Sequence, residues 1–183
     1  MVVGEQVVLF TDLRGSTAMY HALGDARAYT RVRDHFSVLR NAIEQHHGGI
    51  VKTIGDAVMA VFSNVLDAFQ ALEAMFVGIQ TANGSCPEND RLILKAGLHA
   101  GRCLAVNANE RLDYFGTTIN LAARLVDCSR GGEVAISDEA FSRPTLRDHL
   151  GPRLLSATPV QLVPRGFTAP VGVWLLPMPG AGK

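Results

Sequence analysis

The sequence predicts an α+β fold, a mostly antiparallel sheet covered by helices, and three observations predict it. Short runs that are wholly or mostly apolar, at residues 7–10, 57–62 and 133–136, have the length of buried strands. Longer segments between them place apolar residues three or four apart, the spacing of a helix with one buried stripe. Strands also follow one another across short turns, which puts antiparallel pairs in the sheet.

Val7–Phe10 is the first strand, with pairing expected to begin near Glu5. It ends at Thr11-Asp12, and the polar stretch "RGST" follows. A long helix is expected from Asp25 to His47, its stripe formed by Ala28, Val32, Phe36, Leu39 and Ile43. Gly48-Gly49 ends it, as glycine does after helices. Ile50–Thr53 and Ala57–Phe62 form a hairpin across the Gly55-Asp56 turn. A second helix runs from a cap at Asn64 to Thr81. "NGSCPEND" is a loop, and Leu92–Gly101 with Arg102–Ala108 reads as a strand pair. "NANERLDYFG" bridges to a helix over Thr117–Cys128. Glu133–Ile136 is a short strand, and Ser137-Asp138-Glu139 opens a brief helix. Prolines concentrate after residue 150, where Val160–Val163 and Val171–Leu176 read as edge strands before a frayed "PMPGAGK" end. This order matches a ferredoxin-like sandwich with a small C-terminal β hairpin. No repeat or linker divides the 183 residues, so one domain is expected, with a core over about residues 5–176.

Nearly half of the residues (48%) are apolar, enough for a sizeable core. Lys+Arg and Asp+Glu both number 17, so the net charge is zero, against a partner bound through nucleic-acid phosphates. Three scattered cysteines form neither a zinc-ligand spacing nor a disulfide framework. Reduced thiols, the absence of a signal-peptide pattern and the absence of an apolar run of about 18 residues predict a cytoplasmic domain without direct membrane insertion. An anchor elsewhere in a longer parent chain is left open.

Asp12 ends the first strand and Asp56 sits in the hairpin turn. If the two strands are neighbours, both carboxylates project at one sheet edge and suit a hard divalent cation. Aspartates also occupy turns because they bond nearby amides, so turn chemistry alone fits as well. "LRGST" offers successive amides for a phosphate, or merely a Ser16 or Thr17 cap. Lys52 lies in an apolar strand, where it needs a partner unless the strand is an exposed edge. Asn120 and Arg124 are four apart on one helical face, a pairing suited to a ribose and a phosphate or to an ordinary polar surface. His46, His47 and His99, with Met59 and Met75, read as surface or core residues without a chemical role.

Taken in order, "FTDLRGST", "VKTIGDAVMAVF", "AGLHAG" and "LDYFGTTINLAARL" resemble the catalytic domain of class III adenylate and guanylate cyclases over residues 7–141. "PRGFTAPVGVWLL" resembles that family's terminal hairpin. The resemblance implies conversion of a nucleoside triphosphate to a 3′,5′-cyclic monophosphate and pyrophosphate. It implies that Asp12 and Asp56, with the Leu13 carbonyl, hold two divalent cations, Mg2+ or Mn2+. It further implies that Leu13, Arg14, Gly15, Ser16 and Thr17 meet the triphosphate, with Arg165 a loosely aligned further contact. By the same resemblance Lys52 and Asp113 read the base, Asn120 orients the ribose, and Arg124 stabilises charge on the reacting phosphate. Relatives that use GTP carry Glu and a small residue such as Cys at the two base-reading positions. Lys and Asp here imply ATP, since lysine only donates and an ionised aspartate only accepts hydrogen bonds. The family's sites form between two domains arranged head to tail, so a homodimer is implied.

Three other readings remain. One is a guanylate cyclase or an enzyme of mixed specificity, and another a non-catalytic cyclase-like dimerisation or nucleotide-sensing module. The third, a ferredoxin-like RNA-binding module, lacks both positive charge and an RNP-like aromatic run.

Overall fold

The computed structural model describes residues 1–84, 86–108 and 111–180. Eight strands form one sheet in the order β2-β3-β1-β4-β6-β8-β7, with β5 paired to β4. β1 (Val2–Leu13) lies at its centre, antiparallel to β3 (Ala57–Phe62) on one side and β4 (Leu94–Ala108) on the other. β2 (Gly49–Ile54) pairs outside β3, so Asp56 reaches the end of β1 through β3 rather than through β2. β6 (Glu133–Ser137) runs parallel to β4, and the β7 (Thr158–Leu162) and β8 (Val171–Pro177) hairpin closes that side. This is the mixed α+β architecture expected, with its C-terminal hairpin.

Alternation along β1 assigns the two faces. Val7, Leu9 and Leu13 pack into the larger core under α2 (Asp25–Gln45), α3 (Val65–Asn83) and α6 (Pro144–Leu150). Val8 and Phe10 face the other way, into a smaller cluster with Met59, Tyr114 and Ile119 beneath α4 (Thr117–Leu125). There α4 lies so close to β4 that a Cβ on Gly97 would stand 2.7 Å from the Val126 backbone nitrogen. Only glycine permits that approach.

Several elements depart from expectation. Leu92–Gly101 and Arg102–Ala108 are not a hairpin but parts of one 15-residue strand, β4. Its C-terminal partner is β5 (Arg111–Phe115), formed from residues expected to bridge; Asn109 and Glu110 of that bridge lie outside the described residues. No turn chemistry interrupts β4 because the full length of β1 pairs with it, from Val2↔Ala105 to Leu13↔Leu94. The same ladder extends β1 well before Glu5. A short helix, α1 (Ser16–Leu23), precedes α2, and its N-cap is Gly15, with no side-chain cap from Ser16 or Thr17. His47, not glycine, takes the left-handed position after α2, with φ 58°. The Gly48 amide then bonds back to the Ile43 carbonyl at 2.9 Å, closing the helix end. Asn64 caps α3 as expected, accepting from the Asp67 amide at 2.9 Å. Ser137 likewise caps α5 (Asp138–Phe141). Of the expected frayed end, residues 177–183, Pro177 still belongs to β8 and Met178 is buried, against the expectation, whereas residues 181–183 lie outside the described residues.

Candidate active site

β1 delivers Asp12 and the β2–β3 turn delivers Asp56. Ile54 pairs with Ala57, which leaves Gly55-Asp56 as a two-residue loop. Gly55 has φ 63°, and Asp56 does not share the positive φ, the pattern of a II′ hairpin turn. The next residues of β3 pair with β1 up to Thr11↔Val58, so the turn projects past the end of β1 beside Asp12. The two carboxylates feel one another. Burial pushes the Asp12 pKa up, and the Asp56 charge adds to the rise. The Leu13 amide and Lys95 offset part of it. Asp56 Oδ2 is buried and has no hydrogen-bond partner among the described residues.

This donor set fits a divalent cation. Of two adjacent carboxylates, one holds an orphaned buried oxygen, and Lys95 relieves their repulsion only in part, since the Asp12 pKa stays raised. Among the described residues no cluster of three or more His, Cys, Asp or Glu stands ready for a metal. A cation such as magnesium binds through one or two carboxylates and completes its shell with water and phosphate, a ligand demand that two aspartates can meet.

After Leu13 the chain turns through Arg14 into the Gly15 N-cap, whose φ is 72°. The Arg14 amide donates to Ile93 (2.9 Å) and its guanidinium to the Arg130 carbonyl (3.2 Å). Leu13, Arg14, Gly15 and Ser16 line a cleft with Glu88 and Arg91. Thr17 is exposed and outside that lining.

Lys52 and Asp113 come together from 61 residues apart. Lys52 Nζ donates to both Asp113 carboxylate oxygens at 2.8 Å. The Tyr114 amide donates to Oδ1, also at 2.8 Å, and the Phe115 ring lies 5.9 Å from the ammonium. The Lys52 hydrogen bond holds the Asp113 pKa below the usual carboxylate range, so it stays an acceptor. Lys52 is opposite Met59 in the β2–β3 register and shares its face, the α4 side. β5 itself carries exposed apolar side chains: Leu112 is 56% and Phe115 47% exposed.

α4 is tied down at its start by the Thr118 hydroxyl, which donates to the Arg102 carbonyl at 2.6 Å. Ile119, Leu121, Ala122 and Leu125 turn inward, leaving Asn120 and Arg124 exposed on one side. Among the described residues neither side chain makes a hydrogen bond or ion pair. Nor does any bond join the Asp12/Asp56 pair to Lys52, Asp113, Asn120 or Arg124. Arg165 is exposed in the β7–β8 loop. The β4–β6–β8 register puts that loop beyond Ser137, whereas Asp12 lies opposite Lys95, toward the other sheet end.

One residue near this site escaped the sequence reading. His35 is fully buried in α2, and its Nε2 lies 3.1 Å from the Asp56 carbonyl oxygen. The signal was in the helical stripe. His35 lies three after Val32 and four before Leu39, and it takes the inward place assigned to Phe36, which is only half-buried.

Residues 3–150 match the family "Adenylate and Guanylate cyclase catalytic domain". An uncharacterised protein of Mycobacterium tuberculosis is 32% identical over 162 residues, 88% of this chain and 38% of that protein. A Rhizobium meliloti protein named adenylate cyclase 2 is 29% identical over 156 residues, 76% of this chain and 42% of its own length. The chain therefore spans less than half the length of these relatives. Among solved structures, a monomeric-state adenylate cyclase from Trypanosoma brucei superposes with TM-score 0.83 at 24% identity. The match covers 98% of this chain and 93% of that one, a likeness of fold. No helix among the described residues is long and apolar enough to cross a membrane. With the four motifs in sequence and the sheet that carries them, this chain belongs to the adenylate and guanylate cyclase catalytic-domain family.

Proposed function

We propose that the chain is an adenylate cyclase domain that converts ATP to 3′,5′-cyclic AMP and pyrophosphate at two sites shared across a head-to-tail homodimer. The observation that carries this reading is the division of charge. Asp12 and Asp56 form a like-charged carboxylate pair that Lys95 offsets only in part, while Lys52 and Asp113 form a hydrogen-bonded pair of opposite charge elsewhere on the chain.

Asp12, Asp56 and the Leu13 carbonyl would hold two divalent cations, Mg2+ or Mn2+. Bound there, the ions supply charge neutralisation for the triphosphate and acidify the ribose 3′-hydroxyl. The Leu13–Thr17 segment brings its backbone amides to the β- and γ-phosphates at the start of α1. Lys52 donates to a ring nitrogen of adenine, and Asp113, held ionised, accepts from the exocyclic amine. Guanine presents a carbonyl there and leaves Asp113 facing another acceptor, a mismatch worth a few kcal/mol. Asn120 orients the ribose so that its 3′-oxygen lies in line with the α-phosphate. Arg124 on the same face donates to the phosphate as charge develops during attack. Arg165 extends toward the triphosphate from the partner's side.

In this arrangement Asp12 and Asp56 of one protomer complete a site with Lys52, Asp113, Asn120 and Arg124 of the other. Mixing Asp56→Ala protein with Arg124→Ala protein tests it. Each variant alone is inactive, and a one-to-one mixture regains about a quarter of wild-type activity, because half the dimers then carry one intact site. No rescue by proven heterodimers refutes shared sites. A preference for GTP over ATP in the wild-type assay refutes the base reading.

A further inference from the structure

We propose that His35 is a positioning residue for the metal-binding aspartate, its imidazole N–H anchoring the turn that presents Asp56. The inference rests on the reading of Asp56 as a metal ligand. Asp56 occupies the second position of a two-residue turn and lies outside both the β2–β3 and the β3–β1 registers. Its carbonyl therefore has no place in either ladder. His35 Nε2 meets that carbonyl at 3.1 Å from the helix layer behind the sheet. A carbonyl only accepts, so Nε2 carries the proton and the ring is the Nε2–H tautomer. In that tautomer Nδ1 is an acceptor, and it is buried without a donor among the described residues. Burial favours the neutral imidazole, and the ring is 0% exposed.

A buried nitrogen left unpaired costs stability, and an apolar side chain would fill the same space without that cost. The arrangement makes sense if the one bond it makes is needed. That bond fixes the peptide plane following Asp56, and with it the direction of the Asp56 Cα–Cβ bond. Asp56 Oδ2 is then held, buried and unpartnered, beside Asp12. A side chain that orients a ligand from behind in this way typically changes metal affinity by about 10- to 100-fold when removed.

His35→Met and His35→Gln separate the donor from the packing, since the two side chains match in length and shape and only Gln keeps an N–H. The probe is Mn2+, titrated against a fluorescent, non-reactive α,β-methylene analogue of ATP, with Asp56→Ala as reference. Thermal melts establish folding. The expected result is that His35→Met raises the half-saturating Mn2+ concentration about 10-fold. His35→Gln stays near wild type, and nucleotide affinity at saturating Mn2+ is unchanged in both. Equal Mn2+ dependence in wild type and His35→Met overturns the inference, as does equal weakening in Met and Gln variants. If neither variant folds, His35 is a packing residue and the inference fails. If Asp56→Ala binds Mn2+ as wild type does, the metal reading itself fails, independently of His35.

Discussion

Asp12 and Asp56 meet at the end of β1 as like charges, whereas Lys52 and Asp113 meet across the α4 face as opposite ones. In the first pair, burial and the neighbouring Asp56 charge raise the cost of ionising Asp12, and Asp56 Oδ2 is buried without a partner among the described residues. The second satisfies itself: three hydrogen bonds of 2.8 Å converge on the Asp113 carboxylate. Like charges close together are destabilised until a cation arrives, so the first pair gains most from binding. In the proposed function the second would exchange its internal bond for bonds to a base, which favours discrimination between bases over raw affinity. One region is poised for charge, the other for pattern.

The comparison breaks most sharply at Lys52 and Asp113, the proposed base-reading pair. Replacing Lys52 with Glu and Asp113 with Cys removes the donor-acceptor pattern that fits adenine. The ratio of kcat/KM for ATP to that for GTP is expected to fall about 100-fold, measured on the double variant with both substrates. An unchanged ratio removes the pair from base recognition.

The next effect concerns association through the open face. Leu112 is 56% exposed on β5, one residue from Asp113. In the proposed head-to-tail dimer a charge there would be placed at the interface. Leu112→Glu is expected to weaken self-association about 10-fold. Specific activity would then fall steeply on dilution and recover at high protein concentration, with an unchanged monomer melting curve. Wild-type sedimentation and wild-type dilution behaviour in the variant would take this face out of the interface.

The smallest effects sharpen the electrostatic contrast through its sign. The folded-state pKa of Asp113 is lowered from 3.8, so its pairing stabilises the protein above that pH and is lost as pH falls through the lowered value. Lys52→Met should therefore lower the melting temperature at neutral pH, and the difference should vanish in acid. The Asp12 pKa is raised from 3.8, so its ionisation costs stability as pH rises through and above that value. Asp12→Asn should raise the melting temperature at neutral pH in the presence of a chelator, with no gain below pH 3.8. Solvent screening limits each effect to about 1 kcal/mol or less. Thermal melts of both variants across pH check the opposite signs.

Much of the fold was legible because its elements carry local signals. The stripe of α2, the caps at Asn64 and Ser137 and the Gly55-Asp56 turn are each specified within a few residues. What escaped depended on distant partners. β4 read as two strands because nothing local reveals that β1 is long enough to pair with all of it. β5 was hidden in a polar bridge for the same reason, its strand character coming from the ladder with β4. α1 was obscured because its cap is a left-handed glycine rather than a Ser or Thr side chain. At the site, residue types were readable, and four motifs in order singled them out. His35 was not, because a histidine inside an apolar stripe looks like packing until its ring nitrogen is seen on a carbonyl 21 residues away.

The sequence by itself determined the layered α+β class, the hairpin that carries Lys52 and Asp56, and the helical face shared by Asn120 and Arg124. All of these follow from periodicities of two and 3.6 and from turn chemistry, which act over a few residues. Only the tertiary structure decided that Asp56 stands beside Asp12 through β3, that Lys52 closes on Asp113, and that His35 supports the Asp56 turn from α2. Those arrangements arise when a sheet forms between distant segments and brings opposite and like charges within Coulomb range, a distance that no local spacing encodes.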